Sequence, residues 1–416
     1  MTRERLLTGR FLIVVASGAC YFTALGAIGP VVPRYVDRAL GGGDIEVGIG
    51  MGAFAFGAIL LRPLAGRIGD RFGRRMLMIA GAATVGTMAM LTGLVATLPY
   101  LVATRIGLGL GEAAFFVGAT TMATDLAPVE RRGEAVSYWS VAVWGGMSLG
   151  PVLGYGVLDG HHYTRVWITA GLLGFAAAVV ALFTRETRQA RARSAPDPAA
   201  PRARLIAPAA VRPGVLLALV MTGMVGFQTF LPLYAPDVGI DQVGLLFLLF
   251  GVIVLGVRLL GARLPDIFGP VRGGTIAIAL SVAGLGTVAI FGGSVGLVAG
   301  TVILAVGSAF LYPAMLLLAL HGVPNEERSS VIGTFSAFFD FAGGTAGIIV
   351  GSIAALTSYR GAFGAVALLA LGALVLLRSG FGRRRVTDGD AAAADLVRDR
   401  LAPEEAIVAE EPGVLP

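Results

Sequence analysis

The sequence predicts an all-α membrane protein: twelve transmembrane helices in two pseudo-symmetric six-helix bundles. Three observations carry this expectation. Hydrophobic residues make up 56% of the 416-residue chain, charged residues only 14%, and mean hydropathy is +0.81. A soluble chain of this length would need far more polar residues to cover its surface. Many apolar runs exceed the ~18 residues that mark a membrane-spanning helix, and they are continuous, not alternating as barrel strands would be. Finally, the two halves of the chain repeat at a constant offset. The 61 glycines fit the same class, because small side chains let membrane helices pack closely.

The spans are justified in chain order. The first, 11–33, follows a basic stretch and stays largely apolar through Cys20 and Tyr21. With no clear polar region behind it, an uncleaved span is expected and not a signal peptide. The second and third, 46–66 and 76–97, flank the stretch "GRIGDRFGRR" with Gly66, Asp70, Arg71, Gly73 and Arg74. The fourth, 99–124, contains Arg105 and Glu112. Seven residues turn a helix by ~700°, which puts both on one face roughly 10 Å apart. The fifth, 133–158, carries the Gly-rich run "GGMSLGPVLGYG", and the sixth is 164–184. The remaining spans are 214–235, 243–264, 273–292, 294–320, 328–356 and 360–379, with Asp340 about midway along the eleventh.

Between the sixth and seventh spans, residues 185–212 are rich in Arg, Ala and Pro and read as a flexible linker. The expected domains are a bundle over 1–185, a cytoplasmic linker over 186–212, a second bundle over 213–380, and a disordered cytoplasmic tail over 381–416.

Charge gives orientation and excludes other classes. Arginines crowd the loop at 66–75, the turn at Arg131 and Arg132, the linker with seven, and Arg383 to Arg385. The opposite loops are poorer in Arg and include Asp37, Asp44, Asp159, Asp237 and Asp241. The positive-inside rule then places both termini in the cytoplasm of a multi-pass protein in the cytoplasmic (inner) membrane. The net charge of +6 resides mainly in these short loops, so no nucleic-acid partner is expected. One cysteine and three histidines exclude a disulfide framework and argue against a metal enzyme. No catalytic residue, metal ligand or cofactor is expected. The expected partners are a small-molecule substrate, protons and the lipid bilayer, with the chain acting as a monomer.

The repeat is specific. Arg62 matches Arg258 at an offset of 196 (258 − 62 = 196), and the same offset pairs Phe54 with Phe250, Asp70 with Asp266, Gly73 with Gly269, and Glu130 with Glu326. Parallel six-helix repeats point to a transporter with a central site between the halves.

The loop from Gly66 to Arg75 resembles the signature between helices two and three of the major facilitator superfamily, and the resemblance covers about residues 10–380. It implies the major facilitator fold and a secondary transporter. It also implies that Asp70 faces the start of the eleventh helix, near Asn325 to Arg328, as part of a latch between halves. Gly66, Asp70, Arg71, Gly73, Arg74, Asp125 and Asp266 are the latch candidates, Gly66 and Gly73 as places of close approach and tight turning. Arginines that merely set topology are the plain alternative.

Gly146, Gly150, Pro151 and Gly154 resemble the Gly-Pro motif of the family's drug:proton antiporters, with Tyr155 in place of a second glycine. The fourth span resembles the family's motif whose arginine is associated with proton transfer, with Leu108 where glutamine is common. Glu112, Asp340 and Arg105 are therefore the proton-coupling candidates; a structural ion pair is the alternative. Tyr21, Phe116, Tyr138, Trp139, Trp144, Gln228, Tyr312 and Phe339 are candidate cavity residues. Arg62 and Arg258 are expected to be structural groups on the cytoplasmic side. The mix of apolar and aromatic cavity residues favours a lipophilic or amphiphilic compound, and the antiporter resemblance implies its proton-coupled efflux; import of a small metabolite is the alternative.

Overall fold

The computed structural model describes residues 7–187 and 207–381, apart from residues 95, 129–130, 161, 261–263 and 325–326. The expected disordered tail and most of the linker lie outside the described residues. Among those described, the first bundle comprises α1 (Gly9–Ile28), α2 (Val31–Arg38), α3 (Asp44–Phe72), α4 (Arg74–Thr92), α5 (Leu98–Asp125), α6 (Arg132–Leu158) and α7 (Tyr163–Leu182). The second comprises α8 (Pro208–Asp237), α9 (Val243–Leu260), α10 (Leu264–Phe291), α11 (Gly293–Leu320), α12 (Arg328–Leu356) and α13 (Tyr359–Phe381). Twelve stretches are long and apolar enough to cross a membrane, with α1 and α2 forming one.

Local chemistry explains the boundaries. Thr8 caps α1, its Oγ1 accepting from the Phe11 backbone N–H at 3.3 Å. The Gly29–Pro30 step separates α1 from α2, because proline has no N–H to continue the ladder. Glu46 accepts from the Gly43 N–H at 3.0 Å, and Asp44 and Glu46 place negative charge at the N-terminus of α3. Gly73 separates α3 from α4 at φ 99°, a conformation that side chains other than glycine rarely adopt. Its repeat mate Gly269 (φ 73°) makes a corresponding break inside α10, so the membrane part of that helix starts at Gly269, not at the expected 273.

Apolar surroundings leave hydroxyls few partners, and they turn to their own helix. Thr222, Thr229, Ser281 and Thr301 each donate to the carbonyl four residues back, at 2.7–2.9 Å.

Within each bundle the closest contacts run through glycine. Gly109 of α5 lies against the Phe54 carbonyl and the Ala58 N–H of α3, and Gly81 of α4 against Gly111 and Phe115 of α5. Between bundles, α3 crosses α12 and α6 crosses α9. At the first crossing Gly48 meets Gly347, Gly52 meets Gly344, and Gly351 meets the Asp44 carbonyl. At the second, Gly244 packs on Pro151 and Gly251 on Ser148. Tyr359 adds a hydrogen bond to Asp44 Oδ1 at 3.0 Å. All of these contacts lie toward the ends remote from the Arg-rich loops, so the bundles are closed together at the acidic end.

A Cβ at Gly109 would sit 2.8 Å from the Ala58 backbone nitrogen, whereas one at Gly145 would meet nothing within 4 Å. Gly109→Ala should therefore lower stability by about 1–3 kcal/mol through overpacking. Gly145→Ala should raise it by about 0.5–1 kcal/mol by restricting the unfolded chain. Denaturant or thermal unfolding of the two variants in the same detergent reads the opposite signs.

Candidate functional site

Arg62 of α3 reaches both α5 and α12. Its Nη2 donates to Glu112 Oε2 at 3.0 Å and its Nη1 to Asp340 Oδ1 at 2.6 Å. The two carboxylates are largely buried, with side chains 11% and 12% exposed. One guanidinium thus holds a carboxylate of its own bundle and a carboxylate of the other bundle at once. Such a group matches two acceptors because its N–H donors form a rigid fork.

Arg62, expected as a structural group, sits eight residues before Asp70, about 12 Å deeper along α3, and its ion pairs tie α3 to α5 and α12. Glu112 and Asp340, separate candidates in the sequence, are joined through it. Arg105, the expected neighbour of Glu112, turns elsewhere. Its Nε donates to the Gly50 carbonyl at 3.1 Å and its guanidinium lies 5.0 Å from the Phe54 ring centroid. Arg105 therefore ties α5 to α3.

The Arg-rich loop is a second cluster. Arg74 forms an ion pair with Asp125, which also accepts from Thr187 Oγ1 at 3.0 Å. Glu186 accepts from the backbone N–H groups of Arg74 and Arg75, both at 3.1 Å, and so caps the N-terminus of α4. Arg75 reaches the Leu182 carbonyl at 2.7 Å. Glu186 was not singled out from sequence, because composition groups it with the linker. The expected close approach at Gly66 is absent: a Cβ there would meet nothing within 4 Å. Arg71 and Asp70 lie on the exposed surface of this end. Asp70 forms no hydrogen bond or ion pair among the described residues, while Asn325 and the Asp266 side chain lie outside them.

The helix-five glycines face their own bundle. Gly146, Gly150 and Gly154 pack on Phe22, Gly26 and Ala27 of α1, while the Pro151 carbonyl faces Gly244 of α9. The motif is thus sandwiched between α1 and the other bundle.

Of the expected cavity residues, Trp144 and Gln228 line an apolar cavity of about 140 Å³ between the bundles, with Met51, Met147, Phe247 and Phe250. Phe116 lies 5.9 Å from the Arg62 guanidinium, and Tyr312 packs edge-on against Phe339. Tyr21 and Trp139 are placed differently. Tyr21 is fully buried and stacked on Phe115 at 3.8 Å, and Trp139 packs against Phe22 and Gly18, so both belong to the core of the first bundle. Tyr138, itself partly exposed, turns edge-on to the buried Phe11 of α1.

Removing Arg62 would leave two buried carboxylates without their cation. Arg62→Ala is expected to destabilise by about 3 kcal/mol, the low end for a broken buried pair because Arg62 itself is 30% exposed. Adding Glu112→Gln and Asp340→Asn to Arg62→Ala should recover most of that loss, which thermal unfolding of the single and triple variants measures.

Comparison with known proteins agrees with this architecture. A family model described as Major Facilitator Superfamily matches residues 14–296 and 238–409. An uncharacterized MFS-type transporter of Salmonella typhimurium is 28% identical over 327 residues, covering 77% of this chain and 83% of the relative. An uncharacterized MFS-type transporter of Burkholderia mallei is 25% identical over 340 residues, covering 79% of this chain and 81% of the relative. Among solved structures, a bacterial homolog of the human lysosomal transporter Spinster, in an inward-facing and unoccupied conformation, superposes with a TM-score of 0.77 at 15% identity. It covers 92% of this chain and 100% of its own. Members of this family move solutes across membranes; they are not enzymes and generally need no cofactor. With twelve spans, a two-fold repeat and a family match over most of its length, the chain belongs to the Major Facilitator Superfamily of membrane transporters.

Proposed function

We propose that this transporter expels small lipophilic or amphiphilic compounds in exchange for protons, as a member of the drug:proton antiporter group. The observation that carries the reading is the bridge from Glu112 through Arg62 to Asp340. With both carboxylates ionised, the cluster carries a net charge of −1 in a low-dielectric setting; one proton makes it neutral. A proton on Asp340 weakens the link between bundles, while a proton on Glu112 leaves Arg62 committed to the other bundle. Proton binding is thereby tied to how strongly α3 and α12 hold together, which is what coupling to alternating access requires.

The apolar cavity beside Trp144 and Gln228 supports an apolar substrate. The Gly-Pro motif supports export, since it places Pro151 of α6 against α9 at the moving boundary. The bacterial relatives support placement in the inner membrane, and the Arg-rich loops support cytoplasmic termini. The described state is closed at the acidic end. In the opposite state, Asp70 engages the start of α12 and latches the cytoplasmic side.

Proteoliposomes with an imposed pH gradient test the coupling. Wild type should move a lipophilic or amphiphilic dye against inward proton flow, and either Glu112→Gln or Asp340→Asn should abolish the gradient-driven part. Gradient-driven transport retained by both variants would refute the assignment, and substrate moving with the protons would identify an importer. For the latch, Asp70→Asn should shift the conformational populations reported by paired spin labels toward the state closed at the acidic end; unchanged distances would dismiss it.

A further inference from the structure

The two-fold repeat gives every group of the central cluster a counterpart in the other bundle. Arg62 corresponds to Arg258, Glu112 to Ser308 (112 + 196 = 308), and Asp340 to Trp144 (340 − 196 = 144). The contact geometry follows the repeat. Where Arg62 meets Asp340 across the bundle boundary, Arg258 meets Trp144 across it, its guanidinium 4.5 Å from the ring centroid. The positions of the two carboxylates that pair with Arg62 are therefore held by uncharged side chains in the repeat of Arg258. Ser308 gives its hydroxyl to the Ala305 carbonyl of its own helix.

Arg258 forms no ion pair or hydrogen bond among the described residues, and its Nε is buried without a partner. Tyr312 lies within electrostatic reach of both Arg258 and Arg62. A ring face offsets only part of the cost of taking a guanidinium from water. A charge kept inside a membrane protein without a counter-ion marks a site whose partner arrives from outside the chain. The surroundings say what else that partner carries. Trp144 both faces Arg258 and lines the apolar cavity. At about 140 Å³ the cavity is close to the volume that holds one benzene ring. Only Ser148 and Gln228 give its lining polar side chains.

We propose that Arg258 is an anion-binding subsite of the transport cavity, and that the preferred substrates are amphiphilic organic anions. Their carboxylate or sulfonate docks on Arg258 beside Trp144, and an aromatic-sized apolar end fills the cavity toward Phe247 and Phe250. Arg62 does not compete for the anion because its own two carboxylates already occupy it. The assignment rests on the reading of this cavity as the route of an amphiphilic compound and adds the charge of that compound.

A matched series of probes tests it: 4-phenylbutyrate, its amide and 4-phenylbutylamine, with the full-length protein in nanodiscs and empty nanodiscs as blank. Direct binding of the tritiated acid and competition by the other two are measured. Wild type should bind the carboxylate about tenfold or more tighter than the amide or the amine, the contribution expected of one charge-assisted hydrogen-bonded contact. Arg258→Gln should level the three affinities, and Arg258→Lys should retain part of the preference, with thermal unfolding confirming that both variants are folded. Equal binding of acid and amide by wild type overturns the subsite while leaving amphiphile transport standing; that comparison needs no variant. A preference that survives Arg258→Gln unchanged also overturns it and moves the anion to another cation. No binding of any probe overturns both the subsite and the amphiphile reading.

Discussion

A hydrocarbon layer offers no water to an ionised side chain, so each charge inside it must be answered by the protein or by its cargo. Most of the central architecture follows from how Arg62 is answered. The glycine contacts that close the acidic end fix the register of α3 against α12, with Gly52 opposite Gly344. From that contact Arg62 lies ten residues along α3, about 15 Å, while Asp340 lies four residues along α12, about 6 Å. A long side chain closes the gap of about 9 Å. Helical side chains lean toward the helix N-terminus, which for α3 is the acidic end, so Arg62 points back toward Asp340. A shorter cation at position 62 would leave the bridge unmade.

The repeat then explains why the two bundles do not do the same work. Backbone features are shared: the positive-φ glycines Gly73 and Gly269, and the contact made by each deep arginine across the boundary. The chemistry placed on them is not. Arg62 is paired with two carboxylates, whereas Arg258 faces a tryptophan, and the repeat position of Glu112 is held by a serine bonded to its own helix. A two-fold frame thus carries a charged cluster on one side and an uncharged aromatic contact on the other. Tyr312 lies within electrostatic reach of both arginines.

How much of this was legible depended on whether a feature was local. The spans, the helix breaks at Gly73 and Gly269, and the two-fold repeat are properties of short windows or of fixed offsets, and sequence is enough to see them. Ion pairing is a property of helix crossings. Arg105 and Glu112 share a helical face, yet Gly57 and Gly109 let α3 and α5 approach so closely that Arg105 finds the Gly50 carbonyl instead. Arg62 was expected as a structural group, but its partners Glu112 and Asp340 come from two other helices and no offset along the chain reveals them. Glu186 was hidden by its neighbours' composition, although a carboxylate near a helix N-terminus is a strong local pairing once the fold brings them together. The burial of Tyr21 and Trp139 had no sequence signal that set them apart from Trp144, which reaches the cavity from the same bundle.

The two ends of the molecule are held by different physics, and this bears on how the transporter can move. At the acidic end the bundles meet through backbone: Gly48 on Gly347, Gly52 on Gly344, Gly244 on Pro151. Such contacts are short-ranged and insensitive to salt, and they are lost once the helices separate by an ångström or so. At the other end charges line the surface, with Arg74, Asp125 and Glu186 tying α4, α5 and the start of the linker into one unit. Charge pairing acts over a longer range and depends on ionic strength. The acidic end is thus held by close fit between bundles, and the Arg-rich end by charge pairing within the first bundle. Arg62 stands between the two regimes. Its hydrogen bond to Asp340 lies beyond the glycine contacts on the side of the Arg-rich loops, and joins α3 to α12 by charge where the glycines join them by fit.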